Sequence, residues 1–537
     1  MHPHVNKPTL TYLTKQPTTP LQHTKAIKKE KKTMTLLSAP ILAVALAAAL
    51  AAHIWNRASS PLWHLPGPRA SRLTSLILRW HEFRAGRTAY IHALHLRHGP
   101  VVRVAPGEVS FSSYEAVKEI YGSQGSGYDK TSFYDLFRVF GRRTMFSTLN
   151  KTDHAKRKRL LADRYANSNV IKPASLDGIN DLAREFARQC GDAKGRSVDI
   201  YIKLHSYACD GVTHHLFHPH GSDALRKHSD ELMMHQVTTD NSLASRLVSL
   251  HYPTLYTYLS KLLHLFIDPR ATPLADDFVL SRSSKPDPAE FTLLSRLQEK
   301  TVSSGGGGDG GALDATDTAA ECNDHMVAGI DTSGDSLCFL MWQLSQPESQ
   351  HYQTRLREEI AASSYSLSSP SPSSSGDSGA RFDELPFLDA VVQEGLRCFP
   401  AIPMSLPRVV PEGGRAVVDG VFVPAGTVVS SQAYSVGRCD EGVFPEPDSF
   451  RPERWLRAGG EAERRRLMFA FSHGGRGCVG KHLALAEMKL LLIHVYSQFT
   501  TTPDPAMTVG SMRMHEQIIS ARPLGQRCLL KFTPVAA

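Results

Sequence analysis

A glycine-dense decapeptide, Phe471-Ser-His-Gly-Gly-Arg-Gly-Cys-Val-Gly480, runs directly into a proline-free amphipathic segment, Lys481 to Phe499. That spacing predicts a helix that starts just after Cys478. A cysteine ahead of a helix start meets unpaired amide hydrogens and the positive end of the helix dipole, which favour a thiolate over a thiol. A thiolate can ligate iron. Gly474, Gly475, Gly477 and Gly480 allow positive φ angles and a close approach of backbone amides to the sulfur, which Phe471 can cover. Hydrogen bonds from those amides would tune the metal's potential. The competing reading is a buried structural cysteine beside a glycine-rich turn. A phosphate-binding loop is excluded, because no Lys-Ser or Lys-Thr follows the glycines at the required spacing.

Helical spacing recurs over residues 154 to 166, 174 to 190, 198 to 217, 321 to 345, 385 to 398 and 480 to 499. Val101 to Phe111 alternates about Pro106-Gly107, and Val417 to Val429 about Asp419-Gly420 and Pro424, so both predict small hairpins. The fold class expected is mainly α with small β-sheets. Two low-complexity stretches, residues 303–313 and 363–380, are glycine- and serine-rich and cannot pack a core. Parts of one site lie on both sides of them, so they predict surface loops of a single domain spanning 58–537. The 8 cysteines form no CxxC pair, which favours free thiols in a reducing compartment. The net charge of +9 is modest for 537 residues and its lysines gather near the amino terminus, which argues against nucleic acid as a partner.

From Thr33 to Asn56 no charged residue occurs, and Leu36 to Ile54 is almost wholly apolar, enough to cross roughly 30 Å of hydrocarbon. Residues 34–57 therefore predict a membrane anchor, a cleaved signal peptide being the rival. Trp55 at the interface and the stiff stretch Pro61 to Pro68 favour the anchor. Residues 1–33 form a basic polar leader with Lys25, Lys28, Lys29, Lys31 and Lys32, which would draw the amino terminus to the cytosol. Translation from Met34 is the expectation that resolves this, leaving Arg57, Arg69 and Arg72 to hold the large domain on the cytosolic side.

Three further motifs bear on chemistry. Glu394-Gly-Leu-Arg397 puts a carboxylate and a guanidinium on one helix face, ordinarily a surface pair. Ala328-Gly-Ile-Asp-Thr-Ser333 predicts an interruption of a helix at Gly329, a notch where the Thr332 hydroxyl can hold water or dioxygen while Asp331 passes protons inward. The bland alternative is an inconsequential kink. His154-Ala-Lys-Arg-Lys-Arg159 reads first as a solvated helix face.

Taken together these segments resemble the cytochrome P450 family. Phe471, Gly474, Arg476, Cys478 and Gly480 match every defined position of its haem-binding signature, and Glu394, Arg397, Phe450 to Trp455, and Ala328 to Ser333 match its other motifs. The resemblance implies the P450 fold preceded by a single transmembrane helix, haem b ligated by Cys478, a buried network of Glu394, Arg397 and Arg454 behind the haem, and Thr332 and Asp331 as catalytic residues. It implies Arg476 and Arg408 as haem-propionate partners. His154 and Lys158 stand where the family often carries Trp-x-x-x-Arg, a departure that leaves their roles open. Phe133, Tyr134, Phe137 and Phe140 fall in the family's variable loop over the haem, and Ala401 to Ser405 lead toward the pocket, so a lipophilic substrate of moderate size is expected. Electrons would come from NADPH through a partner reductase, with Arg464, Arg465, Arg466 and Lys481 either its docking surface or ordinary solvated charge. An endoplasmic-reticulum membrane location follows, and Leu406 to Trp455 looks most like fungal microsomal members of secondary metabolism. A P450-fold isomerase or dehydratase working without dioxygen, and a non-catalytic haem-binding protein, are the alternatives.

Overall fold

The computed structural model describes residues 23–303, 313–363, 381–413 and 416–535. The chain divides into two compact units, Met1–Ser60 and Pro61–Ala537. In the first, a helix runs from His23 to Ala58 with Pro40 inside it. Its Pro40–Ala58 portion is 19 residues long, has mean hydropathy 1.5 and buries nothing, long and apolar enough to cross a membrane. The sequence places the anchor at 34–57; residues 1–22 of the leader, and most of both low-complexity stretches, lie outside the described residues.

In the second unit, a buried core of helices is built around one long helix, Ala315–Ser345. Asp314 starts it by accepting the Asp317 amide at 2.6 Å, satisfying a donor that has no partner inside the helix. The predicted start at 321 missed this cap. Against the long helix lies Ile200–Phe217, likewise buried along most of its length. Their close approach requires glycine: a Cβ on Gly329 would sit 2.6 Å from Val212 Cγ2. The helix does not break at Gly329, contrary to the sequence expectation; the glycine serves helix contact, not a notch.

Lys151–Leu161 begins earlier than predicted because Asn150 accepts the amides of Thr152 (2.8 Å) and Asp153 (3.3 Å). Pro386–Cys398 starts on its proline, where a missing amide hydrogen costs nothing, and Lys481–Tyr496 follows the cysteine loop as predicted.

A five-stranded sheet runs in the order Val101–Ala105, Glu108–Phe111, Val428–Ser431, Arg408–Val409, Asp129–Lys130. The Val101 to Phe111 hairpin forms as expected. The second hairpin is shorter than expected, Ala416–Val418 with Val421–Val423, because Val428–Ser431 leaves it to pair in parallel with Glu108–Phe111. The far edge sets Lys130 opposite Arg408.

Candidate active site

The cysteine loop closes through two backbone bonds, the Gly477 amide to Gly474 O and the Cys478 amide to Phe471 O, both 2.9 Å. Gly474 lies at φ +70°, and a Cβ there would fall 2.1 Å from the carbonyl oxygen of Tyr121, so only glycine fits. Of the eight cysteines Cys478 alone is exposed. It opens onto a cavity of ≈ 320 Å³ rather than bulk water. Burial pushes its thiol up, while the amides of Gly480 and Lys481 and the ammoniums of Lys158 and Lys481 pull it back. Helix-start amides alone therefore do not make the thiolate, as the sequence had led one to expect; a coordinated cation would complete the deprotonation.

Phe471, Arg476, Cys478, Gly480, Arg408, His154, Asp331 and Thr332 all line this one cavity. Gly474 shapes the loop from behind. Lys158 braces it, its ammonium donating to the carbonyls of Gly475 at 2.9 Å and Gly477 at 3.2 Å.

One stretch of the cavity wall is rich in buried basic side chains: Lys130, Arg408 and Arg476, with His154 among them. Arg476 donates from Nη2 to Leu149 O at 2.8 Å and to Asp129 at 3.3 Å, but its Nε and Nη1 are buried with no partner. Burial and Arg408 push it down to about 10. Arg408 donates to the Tyr134 hydroxyl at 2.9 Å. Lys130 donates to Phe146 O and lies 4.4 Å over the rings of both Tyr134 and Phe146. Burial, then Arg408 and Arg476, hold its ammonium well below the usual lysine range. The same burial and cations bring His154 down to about 3, so its imidazole is neutral. Among the described residues Asp129 is the one carboxylate paired with any of the four. So many buried donors beside so little anion fit the two carboxylates of a porphyrin. Space for the ring is consistent with Gly480, where a Cβ would meet nothing nearer than Cys478 Sγ at 4.0 Å. Lys130 carries no sequence signal of its own and was not among the expected residues; only the strand register brings it to Arg408.

The long helix supplies another stretch. Thr332 Oγ1 donates to Ala328 O at 2.7 Å within the unbroken helix. Burial and the neighbouring Asp335 raise the Asp331 carboxyl to about 7, against the pull of His205, Arg270 and Arg522. Asp335 in turn lies 3.5 Å from His205 Nε2. Glu487, also unforeseen, accepts from the Ser333 hydroxyl at 2.8 Å and is raised by burial to about 8. Tyr134, Phe137, Ala401 and Ile402 line the cavity, while Phe133 and Phe140 do not.

Away from the cavity lining, Glu394 is wholly buried and accepts from Arg397 (2.8 and 2.9 Å), Arg454 (2.9 Å), the Trp455 indole (2.9 Å) and the Arg451 amide (2.9 Å). Burial would raise its carboxyl, but the hydrogen bond and charge of Arg397, with Arg454, hold it below the usual range. Arg464, expected at the docking surface, instead turns inward and donates to Arg457 O and Gly459 O at 3.0 and 2.9 Å. Arg465, Arg466 and Lys481 remain exposed.

The family model for cytochrome P450 matches residues 66–529. Among characterised sequences, the chain is 28% identical to the cytochrome P450 monooxygenase tazI of Aspergillus terreus, over 89% of this chain and 95% of that protein. It is 28% identical to the cytochrome P450 monooxygenase stcB of Emericella nidulans, over 88% and 89%. It is 26% identical to the cytochrome P450 monooxygenase aflV of Aspergillus parasiticus, over 88% and 91%.

Proposed function

Because the chain belongs to the cytochrome P450 family, we propose that it is a membrane-anchored monooxygenase that inserts one atom of dioxygen into a lipophilic small molecule, in secondary metabolism of the fungal kind. Family membership brings a haem held through a cysteine thiolate, a small-molecule substrate and a redox partner. The observation that carries the proposal is the placement of Cys478, the one exposed cysteine, in the same cavity as Asp331, Thr332 and the buried cations.

When bound, haem b supplies the activation of dioxygen. Cys478 would be its iron ligand, the Gly480 and Lys481 amides hydrogen-bonding to the sulfur and Phe471 lining the same cavity beside it. Arg476, Arg408 and Lys130 would hold the propionates, and neutral His154 would add a ring N–H to the same wall. Lys158 fixes the loop that presents the sulfur. Asp331, with its carboxyl near neutrality, takes a proton and gives it up to water in the cavity around pH 7, while the Thr332 hydroxyl, donating to Ala328 O, is left to accept a hydrogen bond from that water.

Electrons come from NADPH through a flavoprotein reductase docking at Arg465, Arg466 and Lys481. Residues 34–57 anchor the protein by a single pass in the endoplasmic-reticulum membrane, with residues 58–537 in the cytosol. Support comes from the 19-residue apolar helix portion and from the relatives, all named as fungal cytochrome P450 monooxygenases.

Expression with a reductase in a microsomal host, with isotopically labelled dioxygen and candidate lipophilic substrates, tests this. One labelled atom per product, formed only with NADPH, is the expected result. Conversion without NADPH would instead mark an isomerase or dehydratase, and haem binding with no NADPH use a binding protein.

A further inference from the structure

Besides the cations assigned to the propionates, the cavity wall carries three more arginines, Arg246, Arg270 and Arg522, and neither Arg246 nor Arg270 has a carboxylate within hydrogen-bond reach. Arg246 is largely buried; its Nη2 donates to Leu136 O at 3.1 Å and its guanidinium lies 4.9 Å over the Phe137 ring. Its ion-pair partner, Asp240 Oδ2, stands off at 3.7 Å, and Asp240 Oδ1 accepts the Ser242 amide. Arg270 lines the same cavity from the segment that follows the Pro253–Leu263 helix. Arg270 is exposed at the rim of that cavity, and among the described residues its guanidinium makes no hydrogen bond or ion pair with protein groups. The two cations act on each other: burial and then Arg270 push Arg246 down to about 9.

The other charged groups of this wall do not cancel them. Arg522 adds positive charge and is occupied by Thr238 O, Asp240 O and Asn241. The carboxyls within electrostatic range of Arg270, Asp324 and Asp331, are each raised by burial to about 7, and neither pairs with it. Apolar side chains, Phe137, Val237, Val327 and Ile518, complete the lining.

We infer that Arg246 and Arg270 form an anion-recognition site within the substrate cavity, and that the substrate is a lipophilic molecule bearing a carboxylate or an equally ionised acid. Two guanidinium forks match a carboxylate's two oxygens, and an incoming anion relieves the repulsion between them. An amine or a neutral hydrocarbon would leave that repulsion in place. The inference rests on reading the cavity as the substrate site of a haem enzyme.

Equilibrium dialysis of the haem-loaded, full-length enzyme against dodecanoate, dodecanol and dodecylamine tests it. Dodecanoate should bind at least about tenfold more tightly than dodecanol, the order one charge-assisted hydrogen bond supplies. Arg270→Gln, on an exposed segment that makes no packing demand, should remove most of that preference and leave dodecanol unchanged. Arg270→Glu should favour dodecylamine over dodecanoate. No binding of the acid, equal binding of acid and alcohol, or equal weakening of both by Arg270→Gln would overturn the inference. A preparation with full haem content and no acid preference sinks it alone; one that takes up no haem sinks it together with the reading beneath.

Discussion

Lys130 and Arg408 face each other across antiparallel strands, two buried basic side chains at one register position of the sheet. Such a pair is destabilising in itself, and an anion placed between the two relieves it.

Replacing Lys130 with Met should therefore have opposite effects on the two forms of the protein. The haem-free form should gain about 1 kcal/mol, since a desolvated basic group is removed from beside Arg408. The loaded form should lose haem faster to a scavenger protein. Urea midpoints of the apoprotein and haem-transfer rates check both; an unchanged transfer rate would remove Lys130 from the propionate wall.

Glu394→Gln leaves Arg397 and Arg454 buried with a neutral partner and should cost about 3–5 kcal/mol, seen as a lowered urea midpoint or failure to accumulate folded protein. Because the folded carboxyl is depressed below 4.5, its stabilisation is complete above that pH and is lost as pH falls through the folded value. The wild-type advantage over Glu394→Gln should thus shrink in acid.

Asp331 has the opposite sign. Its carboxyl is raised from 3.8 to about 7, so stability is lost as pH climbs through that window and is flat above it. Asp331→Asn should be more stable than wild type at pH 8 and nearly equal to it near pH 4. It should also make roughly 100-fold less product per unit time as proton delivery fails. Thr332→Ala should keep consuming NADPH while yielding little product.

The Gly329 contact gives a packing test. Gly329→Ala drives a methyl into Val212 and should cost about 1–3 kcal/mol. Adding Val212→Ala should recover part of the loss, as measured by urea unfolding of the single and double variants.

Where a site is written in consecutive residues, its sequence foretells it. Phe471 to Gly480 shows its glycines, its cysteine and the following helix within one stretch, and the Glu394 network follows from two motifs and the helical spacing between Glu394 and Arg397. Lys130 is different: its neighbours in sequence carry no pattern, and only strand pairing across a long separation sets it against Arg408. Gly329 misled for a related reason. A glycine before a hydroxyl-bearing run looks like a helix breaker, and the close approach of Val212 from another helix is not visible locally. Arg464 sits in a run of three arginines that reads as uniform surface, yet the turn at Gly459 and Gly460 offers it carbonyls and draws it inward. Arg246 and Arg270 come from helices and segments between 228 and 283 whose mixed polar spacing gave no clear periodicity.

The most direct measurement is the carbon-monoxide difference spectrum of the dithionite-reduced protein, wild type beside Cys478→Ala. Thiolate ligation by Cys478 predicts a red-shifted Soret band in the wild type and its disappearance in the variant. A band that persists in Cys478→Ala, or a wild-type protein that holds no haem, would contradict the assignment.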